Sequence, residues 1–93
     1  MLDLHEELPP RIFKELVAAG AVTSATVQAS AQGYFVVLQV GLTPRTLGAF
    51  RGGVRYFPRL DGPVSALRQA GIYEFKVDLR NWTPKRPPEH LYG

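Results

Sequence analysis

Apolar and polar positions along the chain fall into blocks of different period. Ile12, Phe13, Leu16 and Val17 recur at helical spacing, with Arg11, Lys14 and Glu15 on the other side. Pro9-Pro10 suits a first helical turn, where a missing N–H has no partner to lose, and Gly20 provides a stop. This predicts a helix over 9–19. From Val22 to Ser30 the period changes to two: Ala25, Val27 and Ala29 alternate with Thr26, Gln28 and Ser30, as in a strand with one solvated face. A short break containing Gly33 follows. Tyr34 to Val40 is apolar at every position but Gln39, which places it near the centre of a sheet or at an interface, and Gly41 to Pro44 closes it. Arg51-Gly52-Gly53 predicts a second hairpin, with arms at 46–50 and 54–57 ended by Pro58. A second helix is expected over 61–70, with Asp61 as N-cap, an apolar stripe of Val64, Ala66, Leu67 and Ala70, and Gly71 as terminator. In the last strand Tyr73, Phe75, Val77 and Leu79 point one way, and Glu74, Lys76 and Asp78 the other.

The predicted fold class is α+β: a mostly antiparallel sheet of about five strands with two helices on one face, in the order α-β-β-β-β-α-β. The 93 residues are expected to form a single domain. Residues 1–8 read as a frayed lead-in, and residues 81–93 as a Pro-rich, polyproline-like tail anchored by Trp82.

Composition narrows the chemistry. There is no Cys, which removes disulfides, thiolate nucleophiles and Cys-based metal sites. The longest apolar run, Tyr34 to Leu38, is far short of the roughly 20 residues of a membrane span. A signal peptide's basic and apolar regions are missing from the acidic start, so a soluble, cytoplasmic protein is expected. Both histidines, His5 and His90, lie in the terminal segments and lack the spacing of metal ligands. Glu74 and Asp78 share a strand face about 13 Å apart, beyond the roughly 5–9.5 Å of paired catalytic carboxylates. The Gly-Gly pair lacks the following helix of a phosphate-binding loop. The reading is non-enzymatic, with no metal and no cofactor.

Charge changes the picture in one place. The formal net charge is +3, yet from Gly41 to Leu60 there is no acidic residue, while Arg45, Arg51, Arg55 and Arg59 are all present. Phe50, Tyr56 and Phe57 are interleaved with them. A two-stranded ribbon fits the major groove of DNA, and Arg is the commonest residue at guanine and phosphate. Arg45, Arg51, Arg55, Tyr56 and Arg59 are therefore candidates for contact with nucleic acid or with a partner protein. The plainer alternative is an edge hairpin kept from self-pairing by its charge. The doubly apolar strand at 34–40 also favours a homodimer, because two short helices must otherwise cover both sheet faces.

The order and spacing of Ala19-Gly20-Ala21-Val22, Arg51-Gly52-Gly53-Val54-Arg55-Tyr56-Phe57, Leu60-Asp61, Gly71-Ile72 and Trp82-Thr83-Pro84 carry a resemblance. Over most of residues 16 to 84 the chain resembles the small ParC-type partition-associated proteins of plasmids and integrative conjugative elements. The resemblance implies an accessory role in partition or maintenance of mobile DNA, beside a partition ATPase and a DNA-binding partner. It carries over no active-site or DNA-contact residue. The expectation is an accessory factor that binds a partition-system protein or itself; the alternative is a small DNA-binding protein or autoregulator using the Arg-rich hairpin.

Overall fold

The computed structural model, which describes residues 6–82, places the doubly apolar segment at the centre of a five-stranded sheet. In chain order the elements are β1 (Glu6–Leu8), α1 (Pro10–Ala18), β2 (Val22–Ser30), β3 (Gly33–Val40), β4 (Thr43–Leu47), α2 (Asp61–Ala70) and β5 (Lys76–Asp78). The strand order is β1-β4-β3-β2-β5. Five strands and two helices make this an α+β fold, as the patterning predicts.

The sheet is mixed rather than mostly antiparallel. β2–β3 and β3–β4 are antiparallel hairpin pairs, while both outer pairs, β1–β4 and β2–β5, are parallel. Parallel neighbours need crossovers, and α1 and α2 provide them, β1 to β2 and β4 to β5. Both crossovers travel in the same direction across the sheet. The right-handed rule then places both helices on the same face.

That face holds the core. Val27, Val36 and Leu38 are fully buried beneath Leu67 of α2, and Ala25, Leu47, Leu8, Phe57 and Phe13 of α1 complete the cluster. Alternation in β2 is as predicted, with Ala25, Val27 and Ala29 buried. A bulge at Thr23 lets Val22 turn inward beside Val40, and the Thr23 Oγ1 donates to the Gln39 carbonyl at 3.2 Å.

Several local expectations change. Residues 6–8, expected to be part of a frayed lead-in, form β1 beside β4 and bury Leu8. A three-residue strand pairing with a segment 39 positions away leaves no local pattern to read. The strand expected at 46–50 begins at Thr43, because Gly41-Leu42 closes a two-residue turn with Gly41 at φ 61. Pro44 is tolerated inside β4 because β1 pairs only from Arg45 onward, so the proline's missing N–H faces no neighbour. The return arm at 54–57 makes isolated bridges instead of a strand: Gly48 with Val54, and Tyr34 with Phe57. It continues the β4 position alongside the start of β3. Asp61 is the first residue of α2 and not its N-cap, which is Leu60 and makes no side-chain bond. Val64 is exposed, and Pro63 takes its place on the buried stripe with Leu67. Of the strand expected over 73–79, only Lys76–Asp78 is paired.

At β5 the Asp78 carboxylate accepts hydrogen bonds from the Arg80 guanidinium and from the Arg80 backbone N–H at 3.0 Å. These bonds hold its pKa at about 2, against an ordinary 3.8. The folded pKa is the lower one, so the bonds stabilise the fold above pH 3.8 and that contribution is lost as pH falls towards 2. Asp78→Asn is expected to flatten the stability curve across that interval and leave its shape near neutrality unchanged. Urea midpoints measured from acid to neutral pH check this; an equally steep fall in the variant would refute it.

Candidate nucleic-acid or partner interface

The connection between β4 and α2, residues 48–60, carries three of the four arginines singled out by the charge pattern; Arg45 precedes it on β4. The connection leaves the sheet at Gly48, whose N–H donates to the Leu8 carbonyl at 2.8 Å. It turns through 49–53 on bonds between Ala49 and Gly53 and between Gly52 and Ala49. It then returns through Arg55, whose N–H donates to the Leu47 carbonyl, and docks on β3 through paired bonds between Tyr34 and Phe57, each 2.8 Å.

This path separates the five candidate residues. Arg45 stands in the row Glu6–Arg45–Leu38, and its Nη1 donates to Glu6 Oε1 at 2.8 Å. Its side chain is 28% exposed and its Nε is buried without a partner, so this arginine is committed to the sheet. Arg51 is exposed at the tip of the 49–53 turn, beside Phe50 at 88% exposure. Arg55 faces the helices, with its guanidinium 4.6 Å from the Phe57 ring centroid. Tyr56 points to the other face, edge-on to Phe35 at 5.9 Å. Arg59 is exposed, with Nε 3.6 Å from Asp61 Oδ1. Arg45 and Arg55 thus lie on the helix side of the sheet, Arg51 at the loop tip and Arg59 beside Asp61, and the four do not line one ribbon.

Arg55 belongs to a different arrangement that the sequence does not display. A groove of about 370 Å³ opens between α1, α2 and the returning connection. Phe13, Leu47 and Phe57 form its floor, and Lys14, Arg55 and Gln69 stand among its walls. The two cations come from elements 41 positions apart, and no acidic side chain lines the groove. Lys14 was missed because a single lysine on the polar side of a helix is an ordinary solvent-facing residue until the fold brings it to the same groove as Arg55. Such a groove suits an apolar side chain accompanied by a carboxylate.

Among the described residues no three His, Cys, Asp or Glu side chains stand close enough to hold a metal ion. Among the same residues, no helix is long and apolar enough to cross a membrane. His5, His90 and the tail beyond Trp82 lie outside the described residues.

These features define a small α+β domain whose helices cover one face of a mixed sheet and whose β4–α2 connection is long and rich in arginine. The chain belongs to the ParC-like family, whose model matches residues 8–86. No curated protein and no solved structure matches it.

Proposed function

We propose that this chain is a cytoplasmic, non-enzymatic accessory factor in the partition or maintenance of a plasmid or other mobile element. It acts as a single unit by binding protein, either a component of the partition system or a second copy of itself. Membership of the ParC-like family is the observation that carries the partition reading. The preference for protein over DNA rests on the separation of the arginines, which do not line one ribbon.

The test is disruption of the gene in its native element, followed by scoring inheritance without selection. A raised loss rate, restored by the gene supplied in trans, is the expected result. An unchanged loss rate would overturn the partition reading.

Direct DNA binding is the second reading, favoured by Arg51 at the loop tip, which makes no ion pair among the described residues. It requires duplex binding that weakens steeply with salt, with a slope that falls by about one for each of Arg51→Ala and Arg55→Ala. Fluorescence titration at about 50 mM salt, where phosphate contacts are strong, decides it, and absence of binding rejects it.

A further inference from the structure

The sheet face opposite the helices has a charge pattern with a two-fold character. Cross-strand partners share a face, so the register defines a row that crosses all five strands: Glu7 on β1, Thr46 on β4, Val37 on β3, Thr26 on β2 and Lys76 on β5. The row is acidic at one end, basic at the other and uncharged between. Neither Glu7 nor Lys76 makes an ion pair among the described residues. The next row runs from Asp78, which is ion-paired with Arg80, through Gln28 to Phe35, with Tyr56 packed edge-on against Phe35. No helix of the described residues covers this face, because both crossovers lie on the other one. On this face Thr26, Phe35 and Val37 are each half-buried and Thr46 is buried.

We propose that a second copy of the chain covers this face, in a face-to-face dimer whose two-fold axis runs parallel to β3. The inference rests on the protein-binding reading above and names the occupant and the surface. β3 is the middle strand, with two strands on either side. A rotation about an axis parallel to it, midway between sheets about 10 Å apart, sets Val37 over Val37 and Phe35 over Phe35. The same rotation sets Thr46 over Thr26, and Glu7 of each copy over Lys76 of the other.

The twist of stacked sheets does not undo this match. An interaxial angle near 30° displaces the outer strands, two spacings of about 4.8 Å from the axis, by about 5 Å. A lysine side chain spans that distance. An axis perpendicular to the strands would instead set Glu7 over Glu7 and Lys76 over Lys76. The charges therefore select one of the two stacking directions, as like charges do against wrong partners.

Sedimentation equilibrium over a range of concentrations tests the proposal, with circular dichroism to verify folding of each variant. The wild-type chain is expected at twice its 10.3 kDa monomer mass. Glu7→Lys and Lys76→Glu each place like charges at both ends of the interface and are expected to weaken the dimer roughly tenfold. The double exchange restores opposite charges and is expected to recover the wild-type constant. Val37→Asp, at the centre, is expected to give a folded monomer. A wild-type monomer at all concentrations overturns the proposal, as does a dimer indifferent to Val37→Asp or a double exchange that fails to recover. These readouts are masses, so their failure leaves the partition reading, which is scored by inheritance, to stand or fall separately.

Discussion

Replacing Gly33 with alanine is expected to destabilise the protein by about 2–4 kcal/mol, from backbone strain together with overpacking. Gly33 opens β3 at φ 127, a region that side chains rarely enter. A Cβ placed there lies 2.7 Å from the Phe57 carbonyl oxygen, and backbone cannot swing aside as a side chain could. That same carbonyl accepts the Tyr34 N–H, so relief of the clash breaks the bridge that docks the β4–α2 connection on the sheet. Loss of the bridge frees Phe57 from the core and takes Arg55 and Tyr56 out of their positions. Chemical denaturation measures the effect, and a loss below about 1 kcal/mol would show that the connection is not held through this contact.

Leu38→Ala is expected to cost about 2–5 kcal/mol, the transfer loss plus the cavity left behind. Leu38 lies on the central strand, fully buried, with Ala25 beside it on β2 and Arg45 on β4. A chain of 93 residues has total stability of about 5–14 kcal/mol, so this single truncation removes a large fraction of it. Val77→Ala supplies the internal contrast. Val77 pairs with the buried Val27 on the same face, yet at the sheet edge it is 41% exposed. Its truncation is expected to cost under about 1 kcal/mol, since the site stays open to water. Equal losses for the two variants in urea titrations would contradict the assignment of β3 as the centre of the core.

Leu38 belongs to an unbroken apolar run, and a strand apolar at nearly every position suits either the sheet centre or an interface, so a place near the middle was one of two readings. Both helices, the β2 alternation and the hairpin at Gly33 were legible for similar reasons, since period and turn chemistry are properties of neighbouring residues. The clash that makes Gly33 irreplaceable was not readable, because it involves Phe57, 24 residues later, brought back by a connection of no regular pattern.

The candidate site divided along the same line. The absence of acidic residues between Gly41 and Leu60 is a fact of composition, and it drew attention to Arg45, Arg51, Arg55, Tyr56 and Arg59. Their separate fates depended on alternation along the returning arm, which sends Arg55 to Phe57 and Tyr56 to Phe35. They depended as well on β1, which supplies Glu6 as the partner of Arg45. The groove shared by Arg55 and Lys14, and the row from Glu7 to Lys76, join residues from distant parts of the chain.

By itself, then, the sequence determined the α+β class, the positions of both helices and a resemblance borne out by family membership. These follow from short-range regularities, which hold whatever the rest of the chain does. Only the tertiary structure decided that the edge strands are parallel and that Arg55 and Tyr56 point apart. Strand pairing at the edges is set by which apolar surfaces close over one another, a non-local balance that no window of residues contains.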